Sequence, residues 1–181
     1  MNQEALIYPI GKLEIPELIT NDMLENWVND FYAFPSLLNM EVAGLSDDEL
    51  NWRCRPGGWT IKELVHHLTD SHINGFIRQK LALTEDNPII KPYDQDLFAD
   101  TADSLQAPIK ASLNIIDGLY CRWMYLLKSL SESDLQRTYV HPEYGHIYTI
   151  KWSIGNYTWH GNHHLAQIRQ AKFFKGQFDK I

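Results

Sequence analysis

Cysteine is nearly absent from this chain. Cys54 and Cys121 are the only two among 181 residues, and they form no CxxC pair. That excludes a disulfide framework and a cysteine-held zinc site, and leaves free buried thiols in a cytoplasmic protein as the expectation. Basic residues are outnumbered, 16 Lys and Arg against 23 Asp and Glu, for a net charge of −7. Their order makes no basic stripe, so nucleic acid is not an expected partner. No apolar run reaches the roughly 18 residues of a membrane span, so no membrane role is expected either. Residues 1–10 lack the basic-then-apolar build of a signal peptide, which again points to the cytoplasm. Internal repeats and low-complexity tracts are missing too. Hydrophobic residues make up 44% of the chain, enough for one domain over 1–181 with a sizeable core.

Histidine, by contrast, is plentiful and clustered. Three of the eight, His160, His163 and His164, fall within Trp159-His160-Gly161-Asn162-His163-His164. A helical residue turns the chain by about 100°, so His160 and His164 point the same way, one turn apart. Two stacked imidazoles of this kind can grip one divalent metal from one side.

Elements follow from punctuation and period. Residues 1–20, with Pro9, Gly11 and Pro16, read as an extended arm. Asp22 with Glu25 suggests the N-cap of a first long helix, kinked at Pro35 and ended by Gly44. Ser46 to Glu49 is a capping box for a short helix. Thr60 with Glu63 starts a second long helix that runs to about residue 83. The polar stretch 84–103, broken by Pro88 and Pro92, is a long connection that reads as a crossover or a wall of the site. Leu105 to Leu130 keeps a helical period as the third long helix, with Pro108 in its first turn, and 131–135 reads as a short capped turn. Residues 138–150 read as a β-hairpin, and the last helix runs from about Thr149 to before Gly176. The fold class is therefore all-α: a four-helix bundle with a long crossover connection, short extra helices and a small β-hairpin before the last helix.

On the last helix the apolar stripe is Ile150, Ile154, Tyr157, Leu165 and Ile168. His164 lies beside it, His160 slightly further round and His163 furthest out, which selects His160 and His164 as inward-facing and puts His163 on the rim. A third ligand must come from another helix. The second helix offers adjacent His66 and His67, which diverge by about 100°, and the period does not choose between them. His72 lies on the stripe and reads as a core histidine satisfied by a neighbour. His141 and His146, in the hairpin, are expected to be exposed.

At this point the sequence becomes familiar. Gly57-Gly58-Trp59-Thr60 leads into Val65-His66-His67-Leu68-Thr69-Asp70-Ser71-His72. Lys91-Pro92-Tyr93-Asp94 and then Trp159-His160 with His163-His164 follow, and Tyr8-Pro9-Ile10-Gly11 precedes them. The set resembles the YfiT group of the DinB-like superfamily from about residue 8 to residue 170. That resemblance implies a four-helix bundle described as a metal-dependent hydrolase, with bacillithiol S-transferases and mycothiol-dependent isomerases among its relatives. It also implies a metal held by three histidines, one on the second helix and two on the last: His67, His160 and His164. One divalent ion per subunit is expected, zinc first and nickel second, and a homodimer.

Three neutral imidazoles leave an ion its full charge and at least one open position, the catalytic arrangement. Such an ion lowers the pKa of bound water to about 7 and ionises a bound thiol. Metal-bound water then suits hydrolysis, and metal-bound thiolate suits attack on an electrophile. Zinc proteases of the HExxH type place a general-base Glu after the first His, where this chain has Gly161. Hydrolysis would need Glu63 or Asp70, one turn either side of His67, and Glu63 is already expected in the capping box. A thiolate mechanism needs less. Transfer of a low-molecular-weight thiol to a small electrophile therefore ranks first, with a bacillithiol-type co-substrate on resemblance alone. A metal-dependent hydrolase is the alternative, and outside enzymes a metal-stabilised stress-response or interaction module. Arg55, Trp59, Tyr93 and Trp159, with His163 on the rim, are the candidate substrate contacts.

Overall fold

The computed structural model describes residues 3–143 and 145–178. Met1 and Asn2 of the expected arm and Tyr144 of the expected hairpin turn lie outside the described residues. The order is α1 (Gln3–Ile7), α2 (Asn21–Val42), α3 (Asp47–Leu50), α4 (Ile61–Thr84), α5 (Gln95–Ala99), α6 (Ala102–Gln106), α7 (Ile109–Ser129), α8 (Glu132–Leu135), β1 (Thr138–His141), β2 (His146–Thr149) and α9 (Ile150–Phe174). The four long helices form the bundle. α2 packs on α9 and α7, and α4 packs on α7 and α9, so the order around the bundle is α2, α9, α4, α7. Their stripes meet in one core that includes Phe31, Leu64, Leu68, Ile116, Ile154 and Ile168. No helix among the described residues is long and apolar enough to cross a membrane.

Local chemistry sets the boundaries. α4 begins with the full capping box: Thr60 Oγ1 accepts from Glu63 N–H at 3.1 Å, and Glu63 Oε2 accepts from Thr60 N–H at 2.7 Å. α9 is capped by Thr149, whose Oγ1 accepts from Trp152 N–H at 3.0 Å. α2 is capped by Thr20 rather than Asp22, through a 3.2 Å bond from Met23 N–H, and continues through Pro35. The third long helix starts four residues later than its apolar period suggests. Pro108 is its N-cap and holds Ala107 extended (φ −68°, ψ 149°), which assigns Leu105 to α6 instead.

The arm contains the turn α1 and is anchored by side chains of α9. Gln167 Nε2 donates to the Ile7 carbonyl at 3.1 Å and Gln170 Nε2 to that of Leu6 at 3.0 Å. The 85–108 connection folds over α4 as α5 and α6. It is pinned to the hairpin by Ile90 N–H to Val140 O at 3.0 Å and Val140 N–H to Pro88 O at 2.9 Å. β1 and β2 pair antiparallel, from Thr138 opposite Thr149 to His141 opposite His146. Arm, connection and hairpin thus surround one stretch of the α4–α9 seam.

A candidate three-histidine metal centre between two clefts

His67 lies two turns into α4, and His160 and His164 lie one turn apart on α9. The packing of the two helices brings the three Nε2 atoms together. His160 Nε2 is 3.2 Å from that of His67 and 3.2 Å from that of His164, and the ligand atoms of all three lie within 4.8 Å of one another. A tetrahedral ion with metal–nitrogen bonds of about 2.0–2.1 Å sets its ligand nitrogens roughly 3.3 Å apart. Two of the three separations already match that spacing.

The tautomers support the same use. The Ile7 carbonyl can only accept, so the Gln167 atom facing it is the amide nitrogen and Oε1 faces His164 Nδ1, at 2.8 Å. That oxygen also only accepts, so the neutral His164 ring carries its proton on Nδ1 and presents the Nε2 lone pair to the centre. His160 Nδ1 meets His72 Nε2 at 3.1 Å, and His72 Nδ1 meets the Tyr120 hydroxyl at 2.5 Å. With His160 ligating through Nε2, its Nδ1–H donates to His72, whose own Nδ1–H donates to the Tyr120 oxygen. His72 is fully buried, as a core histidine satisfied by a neighbour should be, and that neighbour is a ligand candidate. Trp59 packs its ring on His67 at 4.5 Å between centroids.

The pair His66 and His67, which helical period left open, is resolved by the neighbours each one meets. His66 turns toward α7, with Nδ1 2.8 Å from Ser112 Oγ and Nε2 3.3 Å from the Ala107 carbonyl. Burial, and after it the charges of neighbouring histidines, hold His67, His160 and His164 well below the ordinary histidine pKa. Burial alone brings His72 down to about 3. The rings are thus neutral at physiological pH, the state in which imidazole ligates.

Two polar clefts meet at His160. The first, about 440 Å³, is lined by Cys54, Arg55, Trp59, Trp159, His163 and His164 among others. The second, about 470 Å³, is lined by Ser71, Arg78, Tyr93, His141 and Tyr157 among others. Gln95 and Asp96 of α5 line both. A larger groove of about 680 Å³ between α2 and α7 shares only Tyr120 with the histidine chain and is mostly apolar, so the clefts, with their convergent polar groups, are the candidate site.

All five expected substrate contacts line a cleft: Arg55, Trp59, Trp159 and His163 the first, Tyr93 the second. Two positions differ from expectation. His163 is only 6% exposed, stacked on Trp159 at 4.7 Å and covered by Tyr8 of the arm, because the arm closes the rim that a helical wheel leaves open. Burial, with the nearby Arg55 charge, lowers its pKa to about 4. His141 is buried rather than exposed, because the hairpin folds onto the second cleft.

Neither carboxylate considered as a base reaches the clefts. Glu63 is held in its capping box. Asp70 lines neither cleft, and burial together with the Asp103 charge raises its pKa to about 6. The base position of an HExxH helix is closed sterically as well: a Cβ at Gly161 would come within 2.8 Å of the Phe34 ring on α2. The residues that sequence reasoning passed over are Gln167, Tyr120, Arg78 and Asp96. Gln167 alone carried a local signal, its i+3 spacing from His164.

Comparison with known proteins agrees with this architecture. A profile of the DinB superfamily matches residues 30–168. A protein of Oceanobacillus iheyensis named "Putative metal-dependent hydrolase" is 47% identical over 161 residues, 89% of this chain and 92% of its own length. One of the same name from Halalkalibacterium halodurans is 43% identical over 164 residues, 91% and 95% of the two chains. Among solved structures, YfiT from Bacillus subtilis, described as "a probable metal-dependent hydrolase with an unusual four-helix bundle topology", superposes with a TM-score of 0.92 at 36% identity, covering 96% of this chain and 99% of that one. With its bundle, its histidine cluster and these relatives, the chain belongs to the DinB superfamily.

Proposed function

We propose that His67, His160 and His164 hold one divalent ion, zinc or else nickel, and that the site joins a low-molecular-weight thiol of the bacillithiol type to a small electrophile. One observation carries the reading: two separate polar clefts converge on His160, room for two reactants, while the position of a hydrolytic base is closed by Phe34. Held by His67, His160 and His164, such an ion would supply the charge that ionises a bound thiol or water near neutral pH.

The chain's own groups do the rest. In the first cleft the buried Arg55 Nε and Trp159 Nε1 have no hydrogen-bond partner among the described residues, and they are donors for the polar atoms of one reactant. Trp59, packed on His67, fixes that ring and narrows the approach. Sulfur forms its bond to the electrophilic carbon, the leaving group departs with the bonding pair, and the thiol proton passes to solvent. Gln167 and His72 keep His164 and His160 presenting Nε2 throughout.

Hydrolysis is the second reading. It is supported by the names that the relatives carry and by Asp96, the one carboxylate among the described residues that lines both clefts and so could serve as base. The test uses protein purified without a histidine tag. Conjugation of a chlorodinitrobenzene electrophile to a cysteine-containing thiol is followed with and without chelator, beside ester hydrolysis without thiol. Chelator-sensitive conjugation without hydrolysis supports the transferase. Ester cleavage that needs no thiol and is lost in Asp96→Asn reverses the order. A chelator that unfolds the protein, with neither activity found, makes the ion structural.

A further inference from the structure

Arg78 forms no ion pair among the described residues. It lies on α4 and lines the second cleft. Its Nη1 donates to the Tyr157 hydroxyl at 3.3 Å, and its Nε is buried with no hydrogen-bond partner among the described residues. Arg78 is half-buried, but a buried Nε–H left without a partner costs stability, and such a donor beside a cavity fits an anion that arrives later.

The surroundings suit such a guest. The positive charge of Arg78 is felt by Tyr93, Tyr139, Tyr157 and His141, all four of which line the same cleft. They line the cleft beside the guanidinium with aromatic walls and polar tips. The acidic groups of the cleft are Asp94, Asp96 and Glu143, all exposed. Asp94 Oδ1 is already engaged by Asp96 N–H and Leu97 N–H at 3.0 Å each, as the cap of α5. Tyr157 also packs against His160, with ring centroids 6.3 Å apart, so the guanidinium is one side chain away from the centre.

We propose that the second cleft is a carboxylate subsite, in which Arg78 pairs with the carboxylate of one reactant whose reacting atom lies at the His67–His160–His164 centre. This rests on the metal-centre reading for what the carboxylate is positioned toward, but not for the binding itself. The fork geometry of arginine favours a planar two-oxygen partner, which makes a carboxylate the fitting anion and inorganic phosphate the comparison.

The test is a titration of 15N-labelled protein, chelated and zinc-loaded, with succinate, with phosphate and with neutral succinamide, following the Arg78 Nε–H resonance. Saturable movement of that resonance by succinate and not by succinamide supports the subsite. Followed by backbone amide shifts around the cleft, loss of a charge-assisted pair predicts at least about tenfold weaker succinate binding to Arg78→Gln, with Arg122→Gln, exposed on α7 and outside both clefts, unchanged. Arg78→Lys keeps charge without the fork and should fall between them. No saturable movement with succinate or phosphate, equal response to succinamide, or equal affinity in a folded Arg78→Gln protein would overturn the proposal. Binding that persists in chelated protein keeps the subsite even if the zinc titration shows no metal centre.

Discussion

Replacing Gln167 by alanine tests how this chain presets a proposed metal ligand, His164. Gln167 is buried and spans two partners, accepting from His164 Nδ1–H at 2.8 Å and donating to the Ile7 carbonyl at 3.1 Å. Without it the His164 proton is free to move to Nε2, where it blocks ligation, and the Ile7 carbonyl loses its donor. Removing such a partner of a metal-bound histidine costs about 10–100-fold in metal affinity, about 1.4–2.8 kcal/mol. The two lost bonds cost a further 1–3 kcal/mol or so of stability in the chelated protein. Gln170→Ala is the control. It removes bonds to the Leu6 and Cys54 carbonyls, loosening the same arm without touching His164. Metal affinity, read by competition with a chromophoric chelator, should fall in Gln167→Ala and stay at the wild-type value in Gln170→Ala. Gln167→Glu, which can still accept from His164 but cannot donate to Ile7, should keep the metal and loosen the arm, seen as faster amide exchange around Leu6. Equal zinc affinity in Gln167→Ala and wild type would refute the tautomer argument.

Other outcomes follow from the same geometry. Gly161→Glu, which restores the residue pattern of a zinc protease, should bring no ester hydrolysis and should lower stability by about 1–3 kcal/mol, because its Cβ meets Phe34; thermal melts and an ester assay check both. Asp70 has a folded pKa raised to about 6 from 3.8, so the folded state binds the extra proton and stability falls as pH rises through that window. Asp70→Asn should therefore be more stable than wild type above pH 6, by about 1 kcal/mol once solvent screening of a half-buried group is allowed for, with the difference gone near pH 4. Tyr120→Phe removes the oxygen that accepts from His72. Metal affinity should fall by less than in Gln167→Ala, about threefold to tenfold, since His72 still holds His160; the chelator competition measures it.

The bundle was legible because its information is local. Capping boxes at Ser46, Thr60 and Ser131 and the stripe Ile150, Ile154, Tyr157, Leu165 and Ile168 act within a few residues of themselves, and the structure follows them. The i, i+4 pair on α9 was legible for the same reason. The choice between His66 and His67 was not, because it depends on which neighbour each ring meets, α7 or α9. The burial of His163 beneath Tyr8 and the chain from Tyr120 through His72 to His160 join residues 48 to 155 positions apart, where period says nothing. Arg78 stood out only once its buried Nε and its lack of an ion pair among the described residues could be seen in three dimensions.

The most direct measurement is the metal content of untagged protein, wild type beside single alanine variants of His66, His67, His160, His163 and His164, by elemental analysis and native mass spectrometry. One ion per chain in wild type, His66→Ala and His163→Ala, and a loss in each of the other three, is the predicted result. An ion retained when His67, His160 or His164 is removed, or lost with His66, would contradict the account.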